Sequence, residues 1–216
     1  MNWTTAHTRG FLKHASRVAA VVLAIAFIVL VWERGLDERT TSKNLGEVEP
    51  GFYRSGQISQ HMIGPTLSKL DIDTVISLSP DNPDNADNMA EYNAAKSLGL
   101  ERYHVQLRGN GTGNPDEYVK ALAHLIEAKQ HGHTVLVHCS AGSERTGGLV
   151  ALYRTLFLGM PADEAVVEMA EFKHDADENS PLIAYLNENV EYIAGELVRL
   201  GVLPAVPETL PHFEPL

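Results

Sequence analysis

The sequence predicts an α/β fold: a mostly parallel central sheet flanked by helices, with one apolar helix ahead of it. Three observations lead there. From Val48 onward, short apolar runs alternate with segments of helical period, the pattern that threads parallel strands through crossover helices. Two of the runs, Thr74–Leu78 and Thr134–His138, lack the regular polar alternation of a half-exposed strand, as suits strands covered on both faces. Residues 18–32 form an uncharged apolar run of their own.

That run is the first element. Arg9, Lys13 and Arg17 precede it, and no acid occurs before Glu33. A full membrane span needs about 20 residues, so Val18–Trp32 is short. Arg17 can snorkel and add Ala15 and Ser16 to the span, while Trp32 suits an interface. The only small-x-small pattern, Ala24-Ile25-Ala26, lies inside the run. These features favour a retained single-pass transmembrane anchor over a cleaved signal or a buried core helix. Basic residues precede the run and acids follow it, so the positive-inside rule places 1–17 in the cytoplasm and 35–216 outside it. In a bacterium that is the periplasm.

Residues 33–48 are polar and charged and read as a linker. Residues 49–200 read as the catalytic domain, and 201–216 as a Pro-rich tail, packed irregularly or loose. Within the domain, Phe52–Ser55 is a short strand. Ile58–Leu70 is a helix disturbed at Gly64-Pro65, and Thr74–Leu78 a buried strand. An Asp/Asn-rich loop, Pro80–Asn88, leads to a helix over Met89–Leu98, and Arg102–Leu107 is the next strand. Asn114, Pro115 and Glu117 supply a cap, a first-turn proline and a capping-box acid for a helix ending near Lys129. His131-Gly132-His133 is a solvated turn before the central strand Thr134–His138. Helices follow over Arg145–Leu158, stopped by Gly159, then Ala162–Phe172 and Pro181–Leu200.

Charge and cysteine usage exclude several function classes. The formal net charge is −11. Only three of the basic residues, and no acidic ones, lie in 1–32, so the rest of the chain is more acidic still. Such a body repels phosphate backbones, which excludes nucleic acid as a partner. One cysteine permits neither an intramolecular disulfide nor a multi-thiolate zinc site. The ten histidines show no H-E-x-x-H pairing, and no metal or other cofactor is expected.

The chemistry concentrates in His138-Cys139-Ser140-Ala141-Gly142-Ser143-Glu144-Arg145-Thr146-Gly147. It follows a strand and opens a helix. Such a loop turns successive backbone N–H groups of Ser140, Ala141, Gly142, Ser143, Glu144 and Arg145 into one concavity, and the helix N-terminus adds positive potential. Cys139 places a nucleophile at the strand end, where a helix terminus and an arginine favour its thiolate. Arg145 can curl over the loop and grip two phosphate oxygens. Thr146 can donate a hydroxyl hydrogen bond to the thiolate, and His138 orders the loop. A buried structural cysteine after a core strand is the bland alternative. A chance match to the whole pattern is on the order of one in ten million per start position, which rejects it.

His138–Gly147 resembles the signature of the protein tyrosine and dual-specificity phosphatase superfamily. The closer likeness is to compact bacterial and fungal-type dual-specificity phosphatases. It rests on an opening like Phe52-Tyr53-Arg54-Ser55-Gly56-Gln57, a strand like Thr74–Leu78, a run like Gly147–Arg154 and a helix like Ala162–Met169, and covers residues 50–175. The resemblance implies a cysteine-phosphatase fold and a hydrolase in which Cys139 attacks phosphorus, giving a phosphocysteine intermediate that water hydrolyses. It also implies that no metal takes part.

Two departures bear on this expectation. Many relatives carry a general-acid Asp on the loop after the strand equivalent to Arg102–Leu107; here that loop reads Arg108-Gly109-Asn110-Gly111-Thr112-Gly113. The acid candidates are Asp116 in a helix first turn, Asp81 (with Asp84) after a strand, and Glu144 within the loop, where it could also orient water or form a salt bridge with Arg54 or Arg108. Relatives acting on phosphoinositides often have lysines where Ser140 and Ser143 stand. The expected substrate is therefore a monophosphate: phosphotyrosine, phosphoserine or phosphothreonine in a protein, or a small or lipid phosphomonoester. Two other readings are a membrane-tethered phosphate-binding module with little catalysis, and a sulfur- or arsenic-transfer enzyme.

Overall fold

The computed structural model describes residues 21–25, 27, 42–175 and 181–216. The anchor expected at 18–32 lies largely outside these; residues 21–25 and 27 are helical. Among the described residues no helix is long and apolar enough to cross a membrane. Residues 42–216 form one compact unit.

Its elements are β1 (Gly46–Glu49), β2 (Phe52–Ser55), α1 (Ile63–Lys69), β3 (Thr74–Ser77), α2 (Ala86–Leu98), β4 (Glu101–His104), α3 (Pro115–Gln130), β5 (Val135–His138), α4 (Glu144–Leu158), α5 (Ala162–Glu171) and α6 (Pro181–Arg199). The sheet order is β1-β2-β5-β3-β4. β1 runs antiparallel to β2, and every other neighbouring pair is parallel. The mostly parallel sheet is therefore as expected, with one antiparallel edge strand added. That strand corrects the reading of 33–48 as linker, because Gly46, Glu47 and Glu49 pair with Arg54, Tyr53 and Phe52.

The strands bury alternate side chains on opposite faces. Val135, Val137, Ile76 and Leu78 join the large cluster beneath α3, α4, α5 and α6. Leu136 and Val75, one residue out of phase, join Ile58, Ile63, Leu67 and Ile72 on the other face, where α1 lies. Val135, Leu136 and Val137 are all fully buried, so β5 is apolar on both faces. Each such side chain contributes about 1.5–3 kcal/mol.

Helix ends follow local chemistry. Asn85 caps α2 by accepting from the N–H groups of Asp87 and Asn88, so α2 begins within the loop expected at Pro80–Asn88. Asn114 caps α3, but the capping-box acid does not close back on it: Glu117 pairs with Lys120 at 2.6 Å. The helix expected from Ile58 begins only at Ile63, and Gly64 and Pro65 fall in its first turn, where proline costs no hydrogen bond. The tail is packed rather than loose. Leu203 and Phe213 are buried, and Asn187 both donates to and accepts from the Phe213 backbone.

The register positions the site. Ser55 and Ser77 both lie level with His138. The carboxyl ends of β2, β3 and β5 therefore finish together, and the loops leaving them meet at one edge, where open parallel sheets bind ligands.

Candidate active site

Cys139 leaves β5 at that edge and is buried. The loop behind it is held by its carbonyls. Gln57 N–H donates to Ser140 O at 3.1 Å. Asn44 Nδ2 donates to Ala141 O at 2.9 Å, and Arg54 Nη2 to Gly142 O at 3.0 Å. With three consecutive carbonyls tied back, the N–H groups turn to the other side, forming an anion-binding concavity. Gly142 donates its own N–H to Cys139 Sγ at 3.2 Å. Its φ is +78°, and a Cβ there would lie 2.5 Å from Gly56 N, so only glycine fits between the loop and the end of β2.

Arg145 stands in the first turn of α4 and is nearly buried. Its Nη1 donates to Leu78 O at 3.3 Å and Ser79 Oγ at 3.1 Å, and its Nη2 to Ser140 Oγ at 3.0 Å. Its Nε is buried without a protein acceptor among the described residues. A planar donor fork pinned this way suits a tetrahedral oxyanion.

Burial alone would push the Cys139 thiol up. The Thr146 hydroxyl and N–H, the Arg145 charge and the Gly142 N–H outweigh it and hold the thiol below its ordinary value. Thr146 Oγ1 is buried and satisfies no full hydrogen-bond geometry among the described residues, so its proton is available to the Cys139 thiolate that it favours. Arg54, fully buried, is pushed down to about 10, chiefly by burial. Its guanidinium lies 3.8 Å from the centre of the Phe172 ring.

The expected acid candidates are dispersed, each with a partner. Asp116 accepts from Tyr192 Oη at 2.6 Å, and that bond, opposed by slight burial, holds its carboxyl below the ordinary range. Asp81 is largely exposed and lies 3.4 Å from Arg102 Nη2. Glu144 lies 2.8 Å from His174 Nδ1; its partner is this histidine, whereas Arg54 is engaged with Gly142 and Phe172. Arg108 is exposed. The loop that carries it closes through Arg108 N–H to Thr112 O, and Tyr118 Oη fastens it by donating to Gly111 O at 2.7 Å.

His138 is buried, with Nε2 2.8 Å from Glu91 Oε2, off the direction of a good hydrogen bond. Burial would lower its pKa, but the Glu91 carboxylate and the neighbouring Cys139 hold it above the ordinary value. Glu91 was not among the residues singled out from sequence, nor were Ser79, Asn44, Tyr118 and His174. Their signal is three-dimensional: Glu91, Ser79, Asn44 and His174 come from elsewhere in the chain and meet residues 138–147 only once the strands are ordered, while Tyr118 fastens the neighbouring loop at Gly111.

The dual specificity phosphatase catalytic-domain model matches residues 55–192. OCA1 of Mycosarcoma maydis, provisionally named a tyrosine-protein phosphatase, is 34% identical over 115 residues, covering 52% of this chain and 70% of that protein. DSP5 of Arabidopsis thaliana, named an inositol diphosphatase, is 32% identical over 113 residues, covering 51% of this chain and 53% of that protein. Among solved structures, TpbA of Pseudomonas aeruginosa superposes with a TM-score of 0.57 at 24% identity, covering 74% of this chain and 91% of that one; a variant of it was crystallised with phosphotyrosine. The chain belongs to the dual specificity phosphatase catalytic-domain family.

Proposed function

We propose that this phosphoric monoester hydrolase works through Cys139 as nucleophile, forming a phosphocysteine intermediate. The observation that carries this is the loop's construction. The Ser140, Ala141 and Gly142 carbonyls are anchored outward, while the Cys139 thiol accepts from the Gly142 N–H and the charge of Arg145, pinned on Ser79 and Ser140, favours its thiolate. The N–H groups of residues 140–145 bind three phosphoryl oxygens, and Arg145 closes over two of them. Sγ attacks in line as the P–O bond to the leaving group breaks, and water then cleaves the S–P bond to release phosphate. Thr146 stabilises the departing thiolate.

Proton transfer to the leaving group is assigned to Glu144 ahead of Asp81 and Asp116. Glu144 belongs to the loop itself, whereas Asp116 is held as an anion by Tyr192. The substrate reading is a phosphomonoester on protein tyrosine, serine or threonine, or on a small molecule. A second reading rests on the engagement of all three carboxylates. If Glu144 keeps its bond to His174 through turnover, leaving groups must depart without a proton. That restricts substrates to aryl phosphates and phosphoanhydrides, the class to which the name of DSP5 points. The basic–apolar–acidic order of residues 9–33 supports a membrane-held enzyme with its domain outside the cytoplasm. A C-terminal reporter active only outside the cytoplasm tests this, and a silent reporter would contradict it.

The test of substrate class is a panel assayed with the full chain: an aryl phosphate, phosphotyrosine and phosphoserine peptides, an alkyl phosphate and an inositol diphosphate. Turnover of the aryl phosphate is expected, abolished in Cys139→Ser. Equal hydrolysis by both proteins would overturn the proposal. Activity confined to the aryl and anhydride substrates would select the second reading.

A further inference from the structure

Glu91 sits near the middle of α2, fully buried. A buried carboxylate costs several kcal/mol in lost hydration and survives only when paired. Its Oε1 accepts from Arg102 Nε at 2.9 Å. Its Oε2 lies 2.8 Å from His138 Nε2 and accepts from Gln57 Nε2 at 3.2 Å. Arg102 alone could neutralise this carboxylate, yet the second oxygen is turned towards the nucleophile's neighbourhood.

Both of that oxygen's partners flank Cys139. His138 is the residue before it in the chain. Gln57 donates its backbone N–H to the carbonyl of Ser140, the residue after it. One carboxylate therefore reaches the nucleophile from both sides, each time through a single residue. The charged groups nearby are few. Arg102 on β4 faces Glu91 directly, Asp81 meets Arg102 from the outside at 3.4 Å, and Cys139 itself faces His138.

We propose that Glu91 is a positioning residue for the Cys139 nucleophile, acting through His138 on one side and Gln57 on the other. Pairing with Glu91 favours the protonated form of His138, and a positive charge behind the sulfur favours the thiolate there. Gln57, oriented by the same carboxylate, keeps the Ser140 carbonyl turned away from the concavity. Glu91 touches no substrate, and removing it acts on the state of the thiol and the shape of the loop. The inference rests on Cys139 being the nucleophile.

The chain has one cysteine, so alkylation by iodoacetamide reports Cys139 without ambiguity and without turnover. In Glu91→Gln the full chain should alkylate about tenfold more slowly below pH 7, with the midpoint of its pH profile moved up. The kcat for an aryl phosphate should fall about tenfold while KM changes less than about threefold. Glu91→Asp should recover part of the midpoint. On a His138→Asn background, Glu91→Gln should move the midpoint no further. An unchanged midpoint in Glu91→Gln would overturn the proposal, as would an equal further shift without His138. Should Glu91→Gln not fold, Glu91→Asp reads the same midpoint, and no shift there would also overturn it. Failure of the phosphatase reading itself is distinguishable: Cys139→Ser would then retain hydrolysis, whatever the alkylation profile shows.

Discussion

Arg145 Nη1 donates to Ser79 Oγ at 3.1 Å, joining the first turn of α4 to the segment leaving β3. Ser140 Oγ holds the other end of the same guanidinium. The guanidinium is thus held from both ends, and under the proposed function it would need little ordering to receive a phosphoryl group.

Removing one support should be measurable and moderate. A hydrogen bond to a charged group contributes about 1.5–3 kcal/mol. Ser79→Ala is therefore expected to lower kcat/KM for an aryl phosphate about tenfold, leaving Leu78 O and Ser140 Oγ in place. Arg145→Lys loses the planar fork altogether and should cost roughly a hundredfold or more. Steady-state kinetics of both variants checks the order, and a Ser79→Ala effect as large as that of Arg145→Lys would show that Ser79 does more than hold the arginine.

Thr146 is the first hydrogen-bonding influence on the thiol after burial. Its removal takes away stabilisation of the thiolate, so the Cys139 pKa must rise. In Thr146→Ala the acid limb of the kcat/KM profile should move to higher pH, and alkylation should show the same shift. An unmoved limb would mean that Arg145 and Gly142 suffice.

The Glu144 assignment predicts a dependence on the leaving group. With a leaving group of high pKa, Glu144→Gln should lower the rate about a hundredfold, while Asp116→Asn and Asp81→Asn should leave it nearly unchanged. An undiminished rate in Glu144→Gln rules the assignment out and favours leaving groups that need no proton.

The Glu91–His138 pair also makes stability depend on pH. Burial raises the Glu91 carboxyl, but His138 and Arg102 overcome this and bring it to about 2. Its contribution is present above the ordinary carboxylate value and is lost as pH falls towards 2. The raised His138 acts in the opposite sense: its contribution is complete below the ordinary histidine value and is lost as pH rises through the folded one. Urea midpoints should therefore form a plateau bounded on both sides, flatter in Glu91→Gln. Breaking the pair by Glu91→Ala should cost about 3–5 kcal/mol.

The candidate loop could be located from sequence because Cys139, Gly142, Arg145 and Thr146 lie in one contiguous frame. What secures that frame could not. Ser79 and Asn44 are ordinary polar residues until the order β1-β2-β5-β3 brings their segments beside residues 139–145. Glu91 looks like a solvated helix residue, since burial of a carboxylate depends on partners elsewhere in the chain. β1 was hidden because Gly-Glu-Val-Glu carries a single buried apolar side chain. An edge strand paired on one side needs no more. Glu117 shows the reverse: the capping-box pattern is present, but Lys120 takes the carboxylate.

The most direct test is acid quench of the full chain during turnover of a labelled aryl phosphate, followed by mass spectrometry of the peptide holding Cys139. One phosphate on that sulfur is expected in the wild type, accumulating most with the best leaving groups, and no phosphate or hydrolysis in Cys139→Ser. Undiminished hydrolysis by Cys139→Ser, with no labelled cysteine in the wild type, would contradict the account.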